Sequence, residues 1–319
     1  MKSILLIRYS ALGDVVLATS VVAPLRAKYP GVRLEWITDA AYAGLLEGVV
    51  DRVIPFSRKD PAGRAAVLRD VKGRFDLAID LQNKLWSVRV SRAAAPKRLR
   101  FVRRTTMQAL GSLVGRDVIL DGAPATELYA KAAQLEQSGT VQLTVSAQAA
   151  ARAQELIPEG SWVAVAPGAA WETKRWPADR LAQVAARLKE DGHRIALVGG
   201  PMDGALLDVI RAGCSPDVDL TAESLPVLAA ALGRVRLLIG NDSGLVHVAA
   251  AMGRPALALF GPTSVNRWGP RPPGAALSLR LSCSPCTNHG SHVCPLGHHD
   301  CLQKLEASAV LAEARRLLA

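Results

Sequence analysis

The chain of 319 residues is expected to be an α/β protein built from two doubly wound parallel sheets. Three observations predict this. Short apolar runs alternate with segments of helical spacing, the signature of strands joined by crossover helices. The alternation breaks at Pro158-Glu159-Gly160 and restarts at Trp162. The length exceeds the usual single domain, and half of the residues are hydrophobic, enough for two cores. The expected domains are therefore 1–158 and 159–319, two Rossmann-like units facing across a cleft. The last helix could pack back on the first domain.

In the first domain, Ser3–Arg8 reads as a strand, Tyr9–Gly13 as a loop and Asp14–Tyr29 as a helix. Val15, Ala18, Val22 and Leu25 share one face of that helix, and Pro30-Gly31 ends it. Arg33–Thr38 follows as a strand, Ala40–Val49 as a helix, and Arg52–Pro55 and Leu77–Leu81 as further strands. Gln148–Leu156 is an alanine-rich helix. In the second domain, Trp162–Ala166, Arg194–Val198 and Val218–Leu220 read as strands. Pro177–Asp191 with proline in its first position, Pro201–Ala212 and Ser224–Leu232 read as helices. Leu237–Ile239 is a buried strand leading to a helix that starts at Ser243, with Asp242 as its cap. Gly253 and Pro255 stop that helix, and another strand follows.

Composition narrows the class. No apolar run approaches the ~20 residues of a membrane span, and Met1–Leu12 lacks the features of a secretory signal, so a cytoplasmic protein is expected. A net charge of +11 calls for an acidic partner. Five cysteines in such a chain argue against a disulfide framework. No G-x-G-x-x-G follows the first strand, which weakens a dinucleotide-oxidoreductase reading.

Four segments carry candidate chemistry. Gly13-Asp14 lies in the first strand–helix turn, where glycine lets a ligand approach and Asp14 could cap the helix or act as a general base. The segment from Pro167 to Pro177, PGAAWETKRWP, combines small residues with Thr173, Lys174 and Arg175. It suits a diphosphate, with Lys174 as the charge that neutralises a leaving group. Ser243 and Gly244 open a helix whose free amides and dipole favour an anion, and His247 lies one turn on. From Lys84 to Arg104 there are eight cations and no acid, a solvated face or a contact for an anionic acceptor or membrane surface. Only Trp86 and Phe101 interrupt these cations, too few aromatic platforms for nucleic acid.

A separate cluster gathers four of the five cysteines in 19 residues, as Cys283-x2-Cys286-x7-Cys294-x6-Cys301, with four of the six histidines among them. Four thiolates at this spacing could hold a structural zinc or iron ion. A loop of reduced thiols is the alternative.

The opening ILLIRYSALGDVVLATSVVAPLRAKYP, then PGAAWETKRWPADRLAQVAARL, then GNDSGLVHVAAAMGRPALALFGPT resemble glycosyltransferase family 9, the ADP-heptose:lipopolysaccharide heptosyltransferases. The resemblance covers essentially the whole chain. It implies a GT-B fold and inverting transfer of heptose from ADP-heptose to an anionic lipopolysaccharide inner core, without a catalytic cofactor. The N-terminal domain would bind the acceptor and the C-terminal domain the donor, in the cytoplasm, with peripheral contact to the inner leaflet of the inner membrane as an option. Asp14 matches the family's proposed base and Lys174 its phosphate-binding lysine. Gly13 and Thr173 flank these, and Asp242, Ser243, Gly244 and His247 match the donor turn. Some members use a glutamate for the nucleotide ribose; Glu223 is the nearest here, displaced from that position. A nucleotide-sugar epimerase on the same fold and a non-enzymatic nucleotide-sugar or nucleic-acid binding module are the alternative readings.

Overall fold

The structure is a computed structural model and describes residues 1–102 and 122–319. The chain forms two compact units, Met1–Ala109 with Ala123–Ser146, and a second that contains Ala147–Ala319.

The first unit holds β1 (Ser3–Ile7), α1 (Leu12–Ala18), α2 (Val22–Lys28), β2 (Arg33–Asp39), β3 (Arg52–Phe56), α3 (Pro61–Val71), β4 (Leu77–Asp80), α4 (Leu85–Ala94), β5 (Lys97–Arg100) and α5 (Ala125–Ala132). Its strands are all parallel, in the order β3-β2-β1-β4-β5. The order reverses between β1 and β4, so the loops after these two strands diverge and leave a crevice at their carboxyl ends. Leu5, Ile7, Ile37 and Ala78 from the central strands pack with Val67, Val71 and Val90 of α3 and α4.

The single helix expected over 14–29 is two helices joined by a tight turn at Thr19–Val21. The cause is local. Pro24 has no N–H to return to the carbonyl of Ser20, and that carbonyl accepts instead from the amide of Gly139 at 2.8 Å. The hydroxyls of Thr19 and Ser20 also donate to the carbonyls of Val16 and Leu17, at 2.6 and 2.7 Å, competing with the helical pattern. Ala40–Leu45 forms a 3-10 turn capped by Asp39, shorter than the helix expected over 40–49. Helices α3 and α4 lie where the sequence reading placed no element.

The second unit holds α6 (Ala147–Leu156), β6 (Trp162–Ala166), α7 (Ala178–Glu190), β7 (Arg194–Leu197), α8 (Gly204–Cys214), β8 (Val218–Asp219), α9 (Leu225–Leu232), β9 (Leu237–Asn241), α10 (Gly244–Ala251), β10 (Ala256–Leu259), α11 (Val265–Trp268), β11 (Ala275–Leu277), α12 (Asp300–Gln303) and α13 (Ala307–Leu318). The parallel order is β11-β10-β9-β6-β7-β8, reversing between β6 and β9. Every residue of β6 and β9 is buried, as a sheet covered on both faces requires.

Helix α6 packs against α9, which places Pro158-Glu159-Gly160 inside the second unit, with the unit boundary at Ser146/Ala147. The C-terminal helix α13 contributes Val310, Ala314 and Leu318 to the same core as α7 and β9. It is fastened to the end of α7 by a two-pronged Arg315–Asp191 pair at 2.7 and 2.9 Å. The last helix therefore belongs to the core of the second unit. Pro177 is the cap of α7 and not its first helical residue. Among the described residues no helix is long and apolar enough to cross a membrane.

Candidate active site

In the first unit the site grows from the loop between β1 and α1. Ala11 occupies the cap position of α1, and Gly13 and Asp14 follow as its second and third residues. Asp14 is thus not the helix cap. Its Oδ1 accepts from the Tyr129 phenol at 2.5 Å, and its Oδ2 lies 2.5 Å from Nη2 of Arg8. That second contact is an ion pair lying off the line of a hydrogen bond, and Nε of Arg8 likewise has no aligned acceptor. Arg8 itself is fully buried, with Nη1 donating to the Leu81 carbonyl at 2.6 Å. Burial works against its charge, but Tyr129, Asp14 and Asp80 outweigh burial and raise its pKa.

The loop that delivers Asp14 is fixed from β4. The Gln82 carboxamide oxygen accepts from the amides of Tyr9 and Ser10, each at 3.1 Å. Asp80, at the end of β4, is buried. Its carboxylate accepts from the Gln82 and Asn83 amides at 3.0 and 2.8 Å and from the Ser87 hydroxyl at 2.9 Å. Desolvation pushes the Asp80 carboxyl up, against these donors. Asp14 keeps 15 % of its side chain exposed.

The basic run has its exposed cations Lys84 at the cap of α4, Arg89 and Arg92 on α4, and Lys97, Arg98 and Arg100 on β5. Arg103 and Arg104 lie outside the described residues. Trp86 stacks on Phe56 and Phe101 packs against Tyr129, so neither aromatic is a free platform for a base.

In the second unit two loops flank the reversal of strand order, one after β6 and one after β9. They meet at a short ion pair: Lys174 Nζ lies 2.7 Å from Asp242 Oδ2, which also accepts from the Thr263 hydroxyl at 2.6 Å. Asp242 therefore holds the lysine and does not cap α10. The cap is Ser243. The Ser243 hydroxyl is buried and has no hydrogen-bond partner among the described residues. An unanswered hydroxyl and the leading amides of an eight-residue helix together suit an anionic oxygen. His247 is buried one turn along the same face.

Asn241 ties the two loops together, accepting from the Trp176 amide at 2.9 Å and donating to the Pro167 carbonyl at 2.7 Å. Arg175 folds back, its Nε and Nη2 each 3.0 Å from the Ala169 carbonyl. Thr173 departs from expectation. It is 3 % exposed and its hydroxyl is bonded to the backbone of Ser291, so it does not face a ligand. Glu223 is tied to Arg152 of α6 at 2.9 Å.

The four clustered cysteines line one small cavity, together with Thr173 and His299. All are free thiols. Burial pushes Cys286 upward and Cys301 to about 11, reinforced by the neighbouring thiols. Among the described residues no three His, Cys, Asp or Glu side chains converge as a metal-ligand set.

Comparison with known proteins gives the site its context. The family model described as glycosyltransferase family 9 (heptosyltransferase) matches residues 64–296. Lipopolysaccharide heptosyltransferase 1 of Pseudomonas aeruginosa is 27 % identical over 89 % of this chain and 85 % of that protein. The structure of E. coli ADP-heptose lipopolysaccharide heptosyltransferase II superimposes with a TM-score of 0.77 at 26 % identity, covering 100 % of this chain and 98 % of that one. The iron-containing dodecameric glycosyltransferase TibC of enterotoxigenic E. coli shares the fold, with a TM-score of 0.66 at 15 % identity over 99 % of this chain and 76 % of that one.

Proposed function

The chain belongs to glycosyltransferase family 9, and from that premise we propose that it moves heptose from ADP-heptose onto the inner core of lipopolysaccharide, with inversion at the sugar. The observation that carries the donor half is the Lys174–Asp242 pair beside the unanswered Ser243 hydroxyl and the opening of α10. In this reading the diphosphate lies on the leading amides of α10, where Gly244 brings no side chain and Lys174 supplies a cation. Asp242 and Thr263 aim that cation.

Asp14 takes the proton of the acceptor hydroxyl as its oxygen bonds to the anomeric carbon. The bond from that carbon to the diphosphate oxygen breaks, and ADP departs. The negative charge growing on ADP is met by Lys174 and the helix amides, the type of stabilisation that dominates such steps. Gly13 keeps the approach to Asp14 free of a side chain. Arg8 and Tyr129 fix the carboxylate from behind.

The exposed cations of α4 and β5 fit a phosphorylated, anionic acceptor. Leu85, 95 % exposed beside Lys84, fits peripheral contact with an anionic inner leaflet. The protein is then a cytoplasmic enzyme that works at the membrane surface.

Product analysis with ADP-heptose tests this reading. A heptose-deficient core oligosaccharide should gain one heptose for each ADP released. Turnover of ADP-heptose without ADP release would mark an epimerase, and tight binding with no turnover a binding module. Either result would overturn the proposal.

A further inference from the structure

We propose that the cysteine-rich segment 283–301 is a clamp on the phosphate-binding lysine, and that Thr173 is its keystone, a positioning residue and not a ligand donor. The inference rests on the assignment of Lys174 to the donor diphosphate.

Thr173 and Ser291 are 118 residues apart and are joined by three hydrogen bonds through the Ser291 backbone, with a fourth contact of 3.4 Å between the two hydroxyls. The Thr173 amide donates to the Ser291 carbonyl at 3.2 Å. The Thr173 hydroxyl donates to the same carbonyl at 2.8 Å and accepts from the Ser291 amide at 2.9 Å. The remaining backbone group of Thr173, its carbonyl, accepts from His299 Nε2 at 2.8 Å, which requires the proton on that nitrogen.

The neighbours of Thr173 are held from the same segment. Glu172 Oε2 lies 2.7 Å from His292 Nδ1, and the His292 ring sits edge-on to Trp171 with centroids 4.8 Å apart. Gly290 lies against the lysine itself. At φ +96° its backbone is in the region that favours glycine, and a Cβ there would come within 2.7 Å of Trp171 Cβ and 2.9 Å of Lys174 Cδ.

The segment is in turn anchored to the sheet. The amides of Cys286 and Thr287 donate to the Pro262 carbonyl at 2.9 and 3.0 Å, just beyond β10, and the Ser284 hydroxyl donates to the Gly261 carbonyl. A run of residues ending in Lys174 is thus pinned to a fixed body on one side, while Asn241 pins its flanks on the other. Lysine is a flexible four-carbon stem carrying a point charge. Holding its backbone and its stem limits the conformations it must give up when a diphosphate binds. The bare backbone of Gly290 lets the segment come close enough to do this.

A double-mutant cycle on ADP affinity, measured by calorimetry, tests the clamp. Thr173→Val removes the hydroxyl at nearly constant volume, and Gly290→Ala pushes on Trp171 and the lysine stem. In the Lys174 background each should weaken ADP by about tenfold, the scale of a displaced binding group. In the Lys174→Ala background each should change ADP affinity less than about twofold, because clamp and lysine act as one unit. Equal losses in both backgrounds would overturn the clamp alone. Unchanged ADP affinity in Lys174→Ala would overturn the donor assignment on which it rests. Because the two substitutions perturb opposite sides of the contact, a folding defect in one, read as a lowered Tm, leaves the other to decide.

Discussion

Asp14→Asn should lower kcat by ~10²–10⁴-fold while leaving the KM for ADP-heptose within a few-fold, the range for removal of a positioned general base. The substitution keeps an oxygen for the Tyr129 phenol and the size of the side chain. What it removes is the charge and the basicity. Arg8 is fully buried and loses its nearest anion, so some loss of stability accompanies the change, since stranding one member of a buried pair is costly. Asp80 and the Leu81 carbonyl still face the guanidinium and limit the damage. A melting curve separates the two effects. A folded Asp14→Asn protein with turnover near the parent's would remove Asp14 from the mechanism.

Lys174→Ala is the second large effect. It should reduce kcat/KM for ADP-heptose by ~10²-fold or more, because the charge building on the departing diphosphate loses its principal side-chain partner. Lys174→Met should lose nearly as much. Methionine restores most of the stem that lies against Gly290 but not the ammonium group, so this variant isolates charge from packing. Both leave the buried Asp242 carboxylate with the Thr263 hydroxyl still donating to Oδ2. Recovery of activity in Lys174→Met would mean that the stem and not the cation matters.

The fold was legible because its signals are local. The run Trp162–Ala166 could hardly be other than a buried strand, and the helix after Pro177 carries its apolar face in plain spacing. Errors arose where a distant residue altered a local rule. The break at Thr19–Val21 depends on Pro24 and on Gly139 receiving the freed carbonyl of Ser20. The place of α6 is decided by packing on α9, while the Pro158-Glu159-Gly160 turn that looks like a linker is only a bend within the second unit.

The candidate site divides along the same line. Asp14, Lys174 and the turn at Ser243 were visible because small residues, a charge and a helix start fall together in a few positions. Their partners were not. Tyr129 lies 115 residues from Asp14, and no periodicity or motif marks it. Asp242 reads as a cap, since an Asp before a Ser at a helix start usually is one, yet the ammonium of Lys174 competes for it and wins. Thr173 reads as a ligand donor beside a lysine, and only Ser291 reveals that its hydroxyl is already spent on backbone. Gln82, which holds the loop ahead of Asp14, had no signal at all.

The most direct test of the account is to follow heptose transfer to a heptose-deficient core acceptor in the presence of EDTA, and to determine the anomeric configuration of the product by NMR. If Asp14 is the base and Lys174 with the α10 amides meets the departing diphosphate, transfer should proceed at nearly the untreated rate and give the configuration opposite to that of the donor. Abolition by EDTA with recovery on adding Mg²⁺, or a product that keeps the donor's configuration, would contradict it.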